Sequence, residues 1–164
     1  MSRRKIRTRE AMRRERDELH AVGRKLVFTN GCFDILHPGH VRYLRKARTL
    51  GDYLVIAVNV DETVARLKGN ERPLTPLLER MEILTALGSV DYVVGFEEET
   101  PAAVIEAILP DILVKGGDWA KDRIVGRDTV EQAGGRVYSL PFTPDHSSSG
   151  IIERIVTRLS QRPE

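Results

Sequence analysis

The sequence predicts an α/β fold: a doubly wound, five-stranded parallel sheet preceded by an N-terminal helical arm. Three observations predict it. Short aliphatic runs alternate with helical patterns from Leu26 onward, as parallel strands joined by helical crossovers do. The runs are nearly continuous in apolar character, "YLVIAVNV" most clearly, as expected of strands covered on both faces. A length of 164 residues suffices for one continuous core and leaves no place for a second globular unit.

The elements follow in order. Residues 1–24 form the arm, in which "TREAMRRERDELHAVG" reads as a helix with Met12, Leu19 and Val22 as a sparse apolar seam and Gly23 as its stop. The strands are Leu26–Thr29, Tyr53–Asn59, Tyr92–Phe96, Ile112–Lys115 and Arg136–Leu140. Between them, "GHVRYLRKARTLG" sets Val41, Leu44 and Ala47 on one face, with Gly51 just past its end. "TPLLERMEILTALG" starts with Thr75 as N-cap and Pro76 at the first helical position, and "TPAAVIEAIL" repeats the device with Thr100 and Pro101. A last helix runs from Ser149 to about Leu159 with Ile151, Ile152 and Ile155 at core spacing. The one long irregular stretch is "DETVARLKGNERPLTP", Asp61 to Pro76, and a connection of that length points to function.

Composition excludes several classes. No apolar run approaches the ~20 residues that cross a bilayer, and no apolar segment of a secretory signal follows "MSRRKIRTRE". A cytoplasmic protein is expected. The single cysteine, Cys32, excludes an internal disulfide and suits a reducing compartment. Residues 1–25 carry a net charge of +6 and the remainder −4, so a nucleic-acid partner would rest on the arm alone. No aromatic residues interleave those charges to stack bases, which favours a solvated helix.

Ligands of doubly wound sheets bind beyond the carboxyl ends of the strands, and the residues there are distinctive. After the first strand comes Thr29-Asn30-Gly31-Cys32-Phe33-Asp34, a turn whose glycine lets backbone N–H groups approach a ligand. His37 and His40 project from one side of the next helix's first turn. Gly39 removes a side chain between them, so an anion can meet both imidazoles and the helix amides together. This reads as a phosphate cradle of neutral donors. Two other readings stand beside it. Cys32-x4-His37-x2-His40 offers three zinc ligands at an unusual spacing and lacks a fourth. Helix capping alone explains neither Gly39 nor the position past a strand end.

Other groups fall in corresponding places. Lys68 lies on the long connection and reads either as a phosphate contact or as a solvated lysine; Arg80, between Glu79 and Glu82, reads either as a phosphate ligand or as an exposed helix arginine. Gly116 and Gly117 in "KGGDW" give the backbone latitude near a ligand. Ser147, Ser148 and Ser149 precede a helix, where hydroxyls and amides suit phosphate and capping alike. Asp34 and Asp61 lie past strand ends, fit either to orient a sugar hydroxyl or to cap a turn.

"HPGH" after "TNGCFDIL" resembles the HxGH signature of the nucleotidyltransferase superfamily. With "RLKGNERPLTPLLERMEIL", "VDYVV", "ILPDILVKGGDW" and a serine-rich turn into "IIERI", residues 25–156 resemble one subgroup, the D-glycero-β-D-manno-heptose 1-phosphate adenylyltransferases. The subgroup occurs alone or fused behind a sugar kinase, and the length here suits the stand-alone form. The resemblance implies a Rossmann-like sheet of order 3-2-1-4-5, with residues 25–164 as the nucleotidyltransferase domain. It implies transfer of AMP from ATP to heptose 1-phosphate, giving ADP-heptose and pyrophosphate for lipopolysaccharide or surface glycan precursors. A different nucleotide (CTP or GTP) or another sugar or polyol phosphate stays open as an alternative, as does a non-catalytic binding module.

The same resemblance assigns roles. His37, His40, Lys68 and Arg80 would be catalytic. Thr29, Asn30, Gly31, Cys32, Phe33, Gly39, Lys115, Gly116, Asp118, Ser147, Ser148 and Ser149 would bind the nucleotide, and Asp34, Asp61, Arg72 and Trp119 the acceptor. Mg²⁺ would bridge the substrate phosphates, and the protein would be a homodimer. Two departures matter. Gly150 stands where the family usually has an asparagine after the hydroxyl residues, and Phe142 stands where the glycerol-phosphate cytidylyltransferases carry an arginine. The second argues against glycerol 3-phosphate as acceptor.

Overall fold

The computed structural model describes residues 5–117, 119–141 and 146–161. Its strands are β1 (Leu26–Gly31), β2 (Tyr53–Asn59), β3 (Tyr92–Phe96), β4 (Ile112–Gly116) and β5 (Arg136–Leu140). All pairs are parallel, in the order β3-β2-β1-β4-β5. Helices α1 (Arg9–Ala21), α2 (Pro38–Arg48), α3 (Asp61–Lys68), α4 (Leu77–Thr85), α5 (Ala102–Ile108), α6 (Arg127–Gln132) and α7 (Ser148–Ser160) complete the described elements, with a 3-10 turn at Lys121–Arg123.

Alternation along the strands divides the core into two layers. Leu26, Phe28, Val55, Ala57, Val94 and Leu113 face α1, α5 and α6, meeting Met12, Ile105 and Val130. Val27, Leu54, Ile56, Val58 and Val114 face α2 and α4, meeting Leu44, Ala47, Met81 and Leu84. Burial on both faces removes the polar alternation of a half-exposed strand, which is why the strands read as continuous apolar runs.

The arm packs into the first layer. Met12 is fully buried and Leu19 nearly so, whereas Val22 is 72% exposed. Ahead of the helix, Ile6 bridges Val93 at the outer edge of the sheet. Ion pairs Arg9–Glu98 (2.5 Å) and Arg16–Asp111 (3.2 Å) tie α1 to the rest of the chain. The expected solvated helix is therefore solvated on one side only.

Local expectations change at three helices. The stretch from Asp61 is not irregular throughout: residues 61–68 form α3, whose Thr63 and Val64 are buried. Helices α4 and α5 are capped at Pro76 and Pro101, each one residue later than expected; ahead of α4 the Thr75 N–H donates to Asp34 (2.9 Å) and the Leu77 N–H to Asp61 (3.3 Å).

This topology places one crevice. Register between β1 and β4 ends at Phe28↔Leu113, yet β1 runs on to Gly31 and β4 to Gly116. Their carboxyl ends open at the point where the winding reverses, the position at which such sheets bind ligands.

Candidate active site

The wall of the crevice on the β1 side is the turn from Gly31 to His40. His37 is the N-cap of α2, and Pro38 follows at the first helical position, where its missing N–H leaves no bond unmade. Helix geometry then stacks the His37 and His40 rings, with centroids 3.9 Å apart and planes inclined by 25°. Phe33 backs this pair: its ring lies 5.3 Å from that of His40. Phe33 holds a left-handed backbone, φ 50°, a conformation uncommon for a bulky residue and found where structure is held for function. A Cβ on Gly31 would meet the Phe33 ring at 3.0 Å.

Gly39 works differently from the sequence reading. Its bare Cα faces His37 and His146, not a gap between the two motif histidines. A Cβ there would lie 2.9 Å from His37 Nδ1 and 3.0 Å from His146 Cβ.

Burial and the neighbouring His37 push His40 down to about 4. Burial and His146 hold His37 below its ordinary value as well. Both rings are neutral at pH 7, so each carries one N–H. The Nδ1 atoms of both are buried without a partner, which leaves Nε2 as the accessible nitrogen of each ring.

Beneath the turn lies a floor of charge that the sequence did not reveal. Arg80 is fully buried, and its guanidinium donates to Cys32 O (2.5 Å), Asn59 O (2.8 Å) and Asp61 Oδ1 (2.7 Å). It joins the carboxyl ends of β1 and β2 to α3. Asp34 is buried too, accepting from Leu74 N (2.8 Å), Thr75 N (2.9 Å) and Arg72 Nε (2.5 Å). Those donors hold its carboxyl below the usual range against the opposing effect of burial. Asp34 and Arg72 thus pin the 69–76 loop to the β1 turn. The hydroxyl of fully buried Thr29 pairs with Tyr43 (2.6 Å), which also reaches Val114 O (3.4 Å). Nothing local in the sequence distinguishes Tyr43, because its partners lie on other elements.

The other rim is built from β4, β5 and α7. Lys115 is half-buried, and burial lowers its pKa; its ammonium lies 6.0 Å from the Trp119 ring centroid. Trp119 is 47% exposed and donates through its indole to Gly116 O (3.0 Å). With Asn30, Arg123 and Ile124 these residues line a cavity of about 100 Å³. Gly117 requires its glycine, having φ 109°. On α7, Ser147 caps Gly150 N (3.0 Å) and Ser148 donates to Ile35 O (2.9 Å), while Ser149 is exposed on the first turn. Lys68 ends α3, exposed, near enough to Cys32 for its charge to oppose the burial that raises the thiol's pKa. Asp118 and Phe142 lie outside the described residues.

The zinc reading is not carried by this geometry. Among the described residues no three His, Cys, Asp or Glu side chains converge on a metal position, and burial keeps the Cys32 thiol protonated.

A switch-point crevice walled by neutral imidazoles, with lysines and a helix N-terminus around it, marks a doubly wound α/β protein suited to a phosphorylated ligand. Comparison narrows this further: residues 28–154 match the family described as cytidylyltransferase-like, and the chain belongs to it. The chain is 56% identical over 138 residues to the bifunctional protein HldE of Citrifermentans bemidjiense, covering 84% of this chain and 28% of that protein. The HldE of Syntrophotalea carbinolica is 51% identical over 157 residues, 96% of this chain and 32% of that protein. The chain thus spans under a third of the length of these relatives. The crystal structure of a lipopolysaccharide core biosynthesis protein from Thermoplasma volcanium superposes with TM-score 0.61 at 30% identity, covering 74% of this chain and 98% of that one. The family carries a divalent-metal requirement, and no described helix is long and apolar enough to cross a membrane.

Proposed function

We propose that the protein transfers AMP from ATP to D-glycero-β-D-manno-heptose 1-phosphate, releasing pyrophosphate and ADP-heptose for lipopolysaccharide or surface glycan precursors. The observation that carries this reading is the stacked, neutral His37–His40 pair at the start of α2, beside the β1/β4 crevice. The kinship with HldE proteins and with a lipopolysaccharide core biosynthesis protein supports the sugar phosphate as acceptor.

In the proposed reaction an oxygen of the acceptor phosphate attacks the α-phosphorus, forming one P–O bond as the α–β P–O bond breaks and pyrophosphate leaves. No covalent intermediate on the enzyme is needed. The protein's part is to position the reactants and to stabilise charge as it moves toward the leaving group. His37 and His40 donate through Nε2 to phosphate oxygens, and the turn from Gly31 to Phe33 offers amides. Lys68 closes from the end of α3, and the α7 serines with their N-terminal amides meet the far phosphates. Lys115 and Gly116 border the nucleotide, and Trp119 the acceptor. Arg80, Asp61, Asp34 and Arg72 position the turn and the loop from below. Mg²⁺, held mainly by substrate phosphates, would neutralise their charge.

The exposed apolar side chains Ile155, Val156 and Leu159 on α7 support a homodimer, which sedimentation velocity tests. A cytoplasmic location follows from the nucleotide and sugar phosphate substrates. Pyrophosphate release with ATP and heptose 1-phosphate, run beside CTP, GTP and glycerol 3-phosphate, tests the reaction and its specificity. His40→Ala is expected to lower kcat at least ~100-fold with the fold intact, the loss typical of one transition-state donor. Nucleotide binding without turnover for any acceptor overturns the proposal.

A further inference from the structure

We propose that His146 is a third phosphate-binding imidazole, which extends the His37–His40 pair toward the pyrophosphate half of the nucleoside triphosphate. The inference rests on the nucleotidyl-transfer reading and adds to it a residue that the HxGH motif does not contain.

The observations are geometric. His146 directly precedes Ser147, the N-cap of α7, and Ser148 Oγ donates to Ile35 O (2.9 Å) in the segment leading to the motif. That bond fastens the start of α7 against the start of α2. The His146 ring consequently stands 6.2 Å from the His37 ring, tilted by 46°, and His37 in turn stacks on His40 at 3.9 Å. Gly39 makes this approach possible, because any side chain there would lie 3.0 Å from His146 Cβ. The glycine of the motif therefore serves an imidazole supplied from about a hundred residues later in the chain.

Chemistry gives the row its direction. Two neutral imidazoles supply two N–H donors, too few for the oxygens of a triphosphate. His40 is backed by Phe33, and His146 directly precedes Ser147, the N-cap of α7. A chain of phosphates running from the motif toward α7 meets His40 and His37 first and His146 toward its end. A hydrogen bond to an anion is stronger than one between neutral groups, so a donor in this place should be visible in binding.

The test compares His146→Ala and His146→Gln with the unaltered protein by calorimetry in Mg²⁺-containing buffer, using ATP, AMP and inorganic pyrophosphate as separate probes. The expected result for His146→Ala is weakening of about tenfold for ATP and pyrophosphate, the worth of one hydrogen bond to a charged group, with AMP affinity held within about twofold. His146→Gln, which keeps an N–H donor, should recover most of the loss and also serves if the alanine variant folds poorly. Unchanged pyrophosphate affinity overturns the inference, and so does equal weakening for AMP and pyrophosphate, the mark of a packing role. Failure of the unaltered protein to bind ATP would instead overturn the nucleotidyl-transfer reading itself.

Discussion

Replacing Arg80 with methionine separates a positioning role from a direct phosphate contact. Methionine fills the aliphatic part of the site but donates nothing, so Cys32 O and Asn59 O lose their guanidinium partners. Each carbonyl left unpaired in the interior costs about 1–3 kcal/mol. The Asp61 pair adds little, because that carboxylate is 41% exposed and such pairs contribute about 0–1 kcal/mol. Against this, Arg80 Nε is buried without a partner, and removing a desolvated charge returns part of the loss. The net expectation is destabilisation of about 3 kcal/mol, which for a chain of this size lowers Tm by roughly 6–12 °C. Total stability for a domain is about 5–15 kcal/mol, so the variant stays folded at 25 °C.

Urea unfolding followed by far-UV circular dichroism measures the difference, provided the slope against denaturant is unchanged. Arg80→Lys should lose less, since an ammonium can keep one of the three acceptors but not all of them. Activity should fall in both variants along with stability, because the turn bearing Cys32 loses its support. Loss of activity with destabilisation below about 1 kcal/mol would refute this reasoning. The guanidinium would then have to leave its buried site and meet substrate.

Three further expectations follow from the same geometry. His40 binds its proton less readily when folded (about 4) than when unfolded (6.5), so its contribution is complete above pH 6.5 and is lost as pH falls toward 4. Linkage gives about 2 kcal/mol between pH 7 and pH 5, and urea titrations should show this extra loss in the unaltered protein but not in His40→Gln. Gly39→Ala should leave stability within about 1 kcal/mol, since a better helix former offsets the close contacts; His37 must shift, and kcat/KM for ATP should fall more than tenfold. Met12→Ala should destabilise by about 2–5 kcal/mol, as for a fully buried methionine, whereas a change below 1 kcal/mol in thermal or urea unfolding would make the arm a dispensable appendage.

The sequence was most legible where the determining interactions are short-range or averaged. Three of the strands, Tyr53–Asn59, Tyr92–Phe96 and Arg136–Leu140, have the bounds expected from the apolar runs, because burial on both faces writes itself into composition. The HPGH turn was legible for a similar reason: three residues of helix suffice to bring His37 and His40 together. What stayed hidden depends on partners far along the chain. Helix α3 reads as an irregular charged stretch because only Thr63 and Val64 are buried in it. The docking of α1 rests on Met12 and on ion pairs to Glu98 and Asp111, and nothing local distinguishes those arginines from solvated ones. Arg80 likewise looks like an ordinary helix arginine until Cys32, Asn59 and Asp61 are placed around it. His146 carried one usable signal, a histidine set immediately before a serine triplet.

The buried charges also resolve an apparent conflict in the site. Asp34 and Asp61 stand at the carboxyl ends of strands, where a triphosphate is expected, and bare carboxylates there would repel it. Each is instead matched to a particular arginine: Asp34 to Arg72 at 2.5 Å and Asp61 to Arg80 at 2.7 Å. The matched pairs contribute little net charge to the crevice while fixing the 69–76 loop and the β1 turn in place. In the proposed reaction the attraction for phosphate is then left to other groups: the neutral imidazoles, Lys68, Lys115 and the α7 amides. That reading divides the labour: Arg80 and Arg72 set geometry through their internal hydrogen bonds, and the weaker donors would meet the substrate. Because neutral imidazoles bring no fixed charge of their own, they can hold a polyanion without retaining pyrophosphate as tightly as a cluster of arginines would, which suits a reaction that must release it.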